Sequence, residues 1–426
     1  MQLEDRLGIV SENAKLLHRR LAVFEDSFSS EAAVEVCAFA PLDDAAVLRA
    51  IAELQRRRIL GRPHPEGESC LCVIKPPSQS MGDEEPELRR RHMVWHAEVL
   101  DAIRPNLYSE SQNEWFDRLD RSRPNIRAAL IEASKPVHDK SLLIRMVGVL
   151  ARFWFVRAYI DEGIEWTQLA LDRDPEPDTI MGLRVWNSAA LLLDMKGEHD
   201  RAIAVQQGVI GHARRLGHHD AEASGCVNLA TFLRNADRII EAYEVMQEAV
   251  PKMRQVGDPN KLASMLINLA AMSLDLSRPE AALTPLREAG ELAEQLGDAW
   301  LMGHVAYNYG VAYRKLGSLD KAQSRLEDAL WIYYRLRDTM NFGDTLKQLA
   351  EMAGGMGDFD RSAVLVGAAE LAREVSGSAS PTYDLKSELI TVVRARLVLG
   401  DAEFDRRWQS GHEMQVEEVI RFAVAK

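Results

Sequence analysis

Apolar positions recur at helical spacing along most of the chain, and small residues recur among them every forty positions between about residues 143 and 376. One column of small residues holds Ala190, Ala230, Ala270, Gly310 and Ala350. A second column, twelve positions later, holds Ala202, Ala242, Ala282, Ala322 and Ser362. Two helices approach to about 8 Å only where the side chains between them are small. The pattern therefore predicts a repeated antiparallel pair of helices, each packed on its neighbours.

The segments between the predicted helices carry matching turn signals. The stretches "KGEHDRA", "LGSLDKA" and "MGDFDRS" each place a glycine where one helix ends and an aspartate near the start of the next. An earlier unit, "LARFWFVRAYIDEGIEWTQLAL", has small residues at the same offsets. We therefore expect six helix pairs, with degenerate first and last pairs acting as caps.

The segment before the repeats has a different pattern. The stretches "LLHRRLAVFEDSFSSEAAVEVCA" and "DDAAVLRAIAELQRRRIL" predict three short helices, with Ser29 or Ser30 capping the second and Asp43 or Asp44 capping the third. A region rich in Pro, Gly and Ser follows, with one strand-like run at 70–74. The expected order is a winged-helix-like domain in 1–80, a helical linker in 81–142, the repeat array in 143–376 and a helical cap in 377–426.

Composition excludes several classes of protein. The 426 residues are 46% hydrophobic and 27% charged, as in folded proteins, and no window approaches eighteen uninterrupted apolar residues. The first residues lack the basic flank and apolar core of a secretory signal, so we expect a cytoplasmic protein without membrane contact. The net charge of −13 disfavours nucleic-acid binding over the whole surface. Two local basic runs, "QRRRILGR" and "LRRRH", are typical of solvated helix faces.

No residue pattern indicates catalysis or metal binding. Cys70 and Cys72 are one residue apart, whereas paired zinc ligands are separated by two or more, so ordinary thiols are expected. No spacing of His, Asp and Glu resembles a catalytic dyad, and no serine stands in a strand-turn-helix elbow. We therefore predict a protein that is not an enzyme and that needs no cofactor or metal.

Small residues at positions 8 and 20 and alanine at position 27 of each unit closely resemble the tetratricopeptide repeat, with a period six residues longer than the usual 34. The order of parts, the "LDRSRPNIRAAL" segment and the closing W-x-x-G-x-x-M-x-x-E-E-x-I segment from Trp408 to Ile420 resemble the C-terminal part of bacterial STAND regulators of the LuxR and SARP types. In those proteins a nucleotide-binding domain precedes a winged helix and a tetratricopeptide sensor. The resemblance implies an all-α tetratricopeptide-repeat solenoid preceded by a small winged-helix-like domain.

The chain also departs from this family. No segment has the form G-x-x-x-x-G-K-[ST] that surrounds nucleotide phosphates, and the terminal helix-turn-helix of those regulators is missing. The stretch "VIKPPSQSMGDEEP" stands where the family usually has a helix, which puts the docking role of the wing in doubt. Nucleotide hydrolysis is therefore not carried over from the resemblance.

The tetratricopeptide resemblance implies that the first helix of each pair lines a concave groove. Position 6 of that helix holds Ser188, Asn228, Asn268, Asn308 and Gln348. An asparagine side chain both donates and accepts hydrogen bonds, so a row of them can bind the backbone of an extended peptide. The alternative is that these amides tie neighbouring helices together without a ligand. Other positions facing the groove hold Arg184, Asn187, Arg234, Asn235, His304, Tyr307, Arg314 and Lys347.

Arg234 or Arg314 could pair with an acidic side chain or a terminal carboxylate of such a peptide. Most aromatic residues at helical spacing are expected to pack between repeats instead, namely Trp154, Trp166, Trp186, Tyr333 and Tyr334. The leading hypothesis is a non-catalytic sensor or scaffold that binds a protein or peptide, with homo-oligomerisation left open. One alternative is a DNA-binding regulator that contacts the duplex through Arg56, Arg57 and Arg58. Another is a detached sensor half that works with an ATPase supplied in trans.

Overall fold

The computed structural model describes residues 7–61, 70–73, 81–108, 112–376 and 382–425. This part of the chain is almost entirely helical and forms two compact units, one ending at Gly217 and the other beginning at His218. The first unit contains α1 (Glu12–Arg20), α2 (Ser30–Cys37), α3 (Asp44–Arg56), α4 (Glu85–Ile103), α5 (Gln112–Ala133), α6 (Lys140–Val156), α7 (Ile160–Arg173), α8 (Ile180–Met195) and α9 (His199–Arg215).

The second unit continues the repeats and ends in three further helices. It contains α10 (His219–Asn235), α11 (Ile239–Val256), α12 (Pro259–Asp275), α13 (Pro279–Leu296), α14 (Ala299–Lys315), α15 (Leu319–Leu336), α16 (Thr339–Gly355), α17 (Phe359–Ser376), α18 (Thr382–Leu399), α19 (Asp401–His412) and α20 (Val416–Val424). The predicted all-α repeat array is therefore confirmed, with helix pairs of nearly constant length.

Three short strands accompany the first three helices. These are β1 (Phe28–Ser29), β2 (Leu60–Gly61) and β3 (Cys70–Val73), which form an antiparallel sheet in the order β1-β3-β2. The hydroxyl of Ser29 accepts from the amide of Ala32 at 3.0 Å, and Asp43 accepts from the amide of Ala46 at 2.7 Å. The predicted caps are therefore Ser29 and Asp43. Residues 62–69 and 74–80, which hold most of the Pro-rich segment and half of the altered wing, lie outside the described residues, as do the side chains of Cys70 and Cys72.

A fully buried arginine, Arg20, stabilises this N-terminal region. Its guanidinium donates to the carboxylate of Glu84 at 2.6 and 3.0 Å and to the carbonyls of Cys37, Phe39 and Ala40. It also lies 3.6 Å from the centroid of the Phe39 ring. A buried charge is tolerated when it is both paired and hydrogen-bonded, as it is here. Arg20 therefore fixes the turn after α2 against the start of α4.

Left-handed residues mark the turns of the repeats. The turns inside the pairs contain Ala158, Gly197, Asp237, Ser277, Gly317 and Gly357, all at positive φ. The turns between pairs contain Gly217, Gly257, Gly297 and Arg337, also at positive φ. Glycine adopts this conformation without the steric cost that a side chain adds, so the predicted glycine caps are confirmed. The same geometry persists where other residues occupy the turn.

The columns of small residues lie where the predicted packing requires them. Ala202, Ala242, Ala282 and Ala322 are fully buried within their helix pairs. In the last pair, Ser362 donates its hydroxyl to the carbonyl of Ala350 at 2.9 Å, so a polar residue replaces alanine without leaving an unsatisfied group. Trp154, Trp166 and Tyr333 are also buried, as their spacing predicts.

The C-terminal segment closes the array through a very tight helix crossing. A Cβ added to Gly411 of α19 would overlap the carbonyl oxygen of Val364 in α17, and one added to Gly367 would overlap the carbonyl of Trp408. In α20, Val419, Ile420 and Ala423 are buried, and Arg361 of α17 donates to the last carbonyls of that helix. The conspicuous residues of the closing motif are therefore packing residues. Within the described ranges, no helix has the length and apolarity needed to cross a lipid bilayer.

Candidate functional site

The candidate site in the second unit is formed by the first helices of four consecutive pairs, α10, α12, α14 and α16. We call it the asparagine face and define it by Asn228, Asn268, Asn308 and Gln348. These side chains occupy equivalent points of equivalent helices because they are forty positions apart. Asn228, Asn268 and Gln348 are half-buried, whereas Asn308 is only 6% exposed.

The predicted peptide-binding arginines of this face are already paired with carboxylates. Arg234 of α10 contacts Asp275 of α12 at 2.8 Å, and Arg314 of α14 contacts Glu351 of α16 at 2.8 Å. Each pair joins one repeat to the next. Burial raises the pKa of Asp275 and outweighs the opposing effect of Arg234. These cations therefore hold neighbouring repeats in register and are not spare partners for an acidic ligand.

Two more groups on this face connect adjacent first helices. Lys315 of α14 donates to the carbonyl of Leu274 at the end of α12, at 3.0 Å. Arg314 also donates to the side-chain oxygen of Gln348 at 3.0 Å. Lys347 lies 3.4 Å from Asp344, one turn earlier on its own helix. The face is thus polar but almost neutral in its local charge.

The members of the asparagine column differ in their hydrogen bonds. Asn308 donates to the carbonyl of His304, four residues earlier, at 2.8 Å. Gln348 accepts from Arg314, and Asn228 has an interaction of its own within the chain. Asn268 makes no side-chain hydrogen bond to any described residue, although it is half-buried in the middle of the row. Most members of the column therefore have partners within the chain, whereas the amide of Asn268 has both donors and an acceptor left for a ligand.

The remaining candidates on this unit have varied surroundings. Tyr307 packs against the hydrophobic residues of α14 and its neighbours, and Asn235 is exposed at the end of α10. His304 lies between two aromatic rings, with its centroid 4.0 Å from that of Trp300 and 5.6 Å from that of Tyr333. Burial lowers the pKa of His304, so the imidazole is neutral at pH 7. No pattern in the sequence points to Trp300, because its exposure depends on tertiary packing.

The first unit contains the other two predicted groove residues. Arg184 of α8 is exposed, and its carbonyl accepts from the hydroxyl of Ser188 at 2.8 Å. The side-chain oxygen of Asn187 accepts from Gln206 of α9 at 3.2 Å. The Asn187 amide therefore joins the two helices of its own pair.

The arginines of the DNA-binding alternative lie at the end of α3. Arg56, Arg57 and Arg58 are all exposed, and Arg58 adopts a left-handed conformation with φ of 55°. Nearby Glu53 accepts from the hydroxyl and amide of Ser11, and these hydrogen bonds lower the pKa of its carboxyl. The three cations thus adjoin a carboxylate that remains charged.

A buried asparagine in the "LDRSRPNIRAAL" segment has a role that its sequence did not reveal. Asn125 of α5 accepts from the amide of Glu25 at 2.7 Å and donates to the carbonyl of Ser27 at 2.8 Å. It therefore attaches α5 to the loop before α2. Among the residues that the structure describes, no group of three His, Cys, Asp or Glu side chains is arranged to hold a metal ion.

No protein-family model matches this chain, and no curated protein matches it. Among solved structures, the chain is similar to a Signal Transduction ATPase with Numerous Domains (STAND) protein with a tetratricopeptide repeat sensor from Pyrococcus horikoshii, at 14% identity and a TM-score of 0.50. That match covers 98% of this chain, which spans 66% of the length of the STAND protein. The chain is also similar to the apo form of RapI, at 12% identity and a TM-score of 0.53, over 67% of this chain and 99% of the other.

These likenesses, together with the forty-residue helix pairs, define the fold as a tetratricopeptide-repeat array. At such low identity the likeness shows the fold only, so function follows from the residues of the site.

Proposed function

We propose that this chain is a non-catalytic sensor or scaffold that binds an extended segment of a protein or peptide on its asparagine face. The observation that carries the proposal is the free amide of Asn268 in the middle of the row. An extended backbone presents alternating N–H and C=O groups, and one side-chain amide can serve both. The first helices on either side of α12 carry further polar residues within reach of the same segment.

The charges of the face indicate what kind of segment it accepts. Because Arg234 and Arg314 are neutralised by Asp275 and Glu351, an acidic peptide gains little from them. Recognition through the backbone is therefore favoured over recognition of a terminal carboxylate. The STAND protein that the chain resembles carries its repeats as a sensor, which supports a role in signal transduction. A bacterial setting and a role in transcription regulation rest on the sequence resemblance alone.

The test is a comparison of two asparagine substitutions in peptide binding. Asn268→Ala removes an amide that has no internal partner, so affinity for peptides selected from a random library should fall by about tenfold, equivalent to one or two hydrogen bonds. Its unfolding midpoint should stay within about 1 °C of the unmodified protein. Asn308→Ala is the matched control, because its amide bonds to the carbonyl of His304 and its loss should lower stability more than affinity.

Two results would contradict the proposal. One is a chain that selects no peptide from a library of extended sequences. The other is unchanged affinity of the Asn268→Ala variant for peptides that the unmodified chain binds.

DNA binding through the N-terminal region is the second candidate, because Arg56, Arg57 and Arg58 are all exposed beside a small antiparallel sheet. Replacing the three arginines with alanine should then abolish a mobility shift that persists at 150 mM salt. A shift that disappears at modest salt in the unmodified protein would indicate non-specific attraction only.

A further inference from the structure

An exposed tryptophan at the start of α14 lies close to a half-buried histidine of the same helix and to a buried tyrosine of α15. Trp300 is 47% exposed, and its ring meets that of His304 at 60°, with the centroids 4.0 Å apart. His304 in turn meets the ring of Tyr333 at 75°, with the centroids 5.6 Å apart. We call Trp300, His304 and Tyr333 the aromatic corner. It adjoins the asparagine face, because the amide of Asn308 donates to the carbonyl of His304.

Two polar atoms of the aromatic corner are buried without a hydrogen-bond partner among the described residues. They are Nε2 of His304 and the hydroxyl of Tyr333, a residue that is 1% exposed. An unsatisfied buried polar group costs about 1–3 kcal/mol, and native proteins contain few of them. Two such groups in adjacent rings make the place beside the exposed indole of Trp300 polar and incompletely satisfied.

The charges around the aromatic corner define the sign of that group. Burial lowers the pKa of His304, and nearby Asp338 opposes this effect. Burial raises the pKa of Tyr333, and Asp338 and Asp344 raise it further. Asp344 has Lys347 as an ion-pair partner, whereas Asp338 accepts from the backbone and side-chain N–H groups of Asn341, which are neutral donors. The field at the corner is therefore negative.

The exposed indole supplies the remaining element of recognition. Among aromatic side chains, the face of tryptophan attracts a cation most strongly, provided that the cation lies within about 6 Å of the ring centroid. A neutral imidazole beside it has one nitrogen that accepts a hydrogen bond. An ammonium or guanidinium group on the indole face is attracted by such an electron-rich nitrogen.

We propose that the aromatic corner is a binding subsite for a cationic group, the side chain of a lysine or arginine in the segment that occupies the asparagine face. The cation lies against the exposed indole of Trp300 and is attracted by Asp338 and by the lone pair of the neutral His304 imidazole beside it. The identity of the ligand rests on the proposed function, whereas cation binding at the corner is a property of these side chains alone.

The first experiment tests the subsite without any peptide. The indole N–H resonance of Trp300 is assigned by its loss in Trp300→Phe and is followed during titration with tetramethylammonium chloride, against sodium chloride at equal ionic strength. We expect a saturable shift with tetramethylammonium only. Trp331, which is 44% exposed in the same unit, serves as the internal control and should not respond. Equal responses of Trp300 and Trp331, or no response of either, would overturn the inference.

The second experiment uses a positional-scanning peptide library with the unmodified protein, Trp300→Leu and Trp331→Leu. One position should show a preference for lysine or arginine over norleucine of about tenfold, within the range of desolvated cation–π contacts. The preference should be lost in Trp300→Leu and kept in Trp331→Leu. Peptide binding with no basic preference would overturn this inference and leave the proposed function standing. Tetramethylammonium binding without any peptide binding would support the subsite and contradict the proposed function.

Discussion

A pair of buried histidines predicts that the N-terminal half of the chain loses stability in acid. His92 and His96 lie one turn apart on α4, with ring centroids 4.5 Å apart, and His92 also meets the ring of Phe24 at 5.2 Å. Burial lowers the pKa of His92 from 6.5 to about 4, with a smaller lowering by the charge of Arg89 and an opposing hydrogen bond with Asn125. The pKa of His96 is lowered well below its usual value, by burial and by the charge of His92.

The sign and size of the effect follow from linkage. The folded-state pKa of His92 lies below that of the unfolded chain, so its contribution to stability is fully present above pH 6.5 and is lost as the pH falls from 6.5 to about 4. At 1.36 kcal/mol for each pKa unit, the whole difference amounts to about 3 kcal/mol, and about 2 kcal/mol is already lost at pH 5.

The assay is urea unfolding of the unmodified protein and the His92→Gln variant at pH 7.5 and pH 5. Glutamine does not titrate and can keep a hydrogen bond with Asn125. The free energy of unfolding should therefore fall by about 2 kcal/mol more in the unmodified protein than in the variant. His219→Gln, at an exposed histidine of the second unit, is the control for the effect of a histidine-to-glutamine substitution as such.

The histidine prediction would be refuted if the unmodified protein and His92→Gln lost stability equally, within about 0.5 kcal/mol. That result would mean that water or a structural adjustment lets His92 ionise in the folded state. Amide hydrogen exchange within α4 gives a local check, because protection there should decrease selectively at pH 5 in the unmodified protein.

Four substitutions test other parts of the fold. Gly411→Ala should lower the free energy of unfolding, measured in urea, by about 3 kcal/mol or more, because its Cβ would overlap the carbonyl of Val364. Gly290→Ala is the control and should raise that free energy by up to about 1 kcal/mol, because a Cβ fits there and alanine favours the helix. A loss at Gly411 well below about 3 kcal/mol would refute the tight crossing. Asn125→Ala should cost about 1–3 kcal/mol, since it removes both hydrogen bonds of a buried side chain, and a cost under about 0.5 kcal/mol by the same measurement would contradict this. Ser277→Gly should raise the midpoint of thermal unfolding, because glycine adopts the left-handed conformation of this turn without the steric cost of about 1 kcal/mol that a side chain adds. A lower midpoint would show that Ser277 is not strained there.

The pairing of polar residues across repeats was less predictable than the repeats themselves. Arg234 and Asp275 are forty-one positions apart, and Arg314 and Glu351 are thirty-seven apart, so no constant spacing identifies the pairs. Each ion pair forms because a long arginine side chain reaches a carboxylate on the first helix of the next repeat. The sequence therefore indicated two arginines for a ligand, and the structure places each of them beside a carboxylate.

The sequence by itself determined the forty-residue period, the positions where helices touch and the turns between them. It could do so because small residues, caps and left-handed glycines act through local geometry that repeats with the chain. Only the tertiary structure decided that Asn308 bonds within its helix while Asn268 is free, that Trp300 is exposed beside two unsatisfied polar atoms, and that Gly411 meets a backbone carbonyl. These features depend on distances between segments far apart in the chain, and such distances are fixed only when the helices pack.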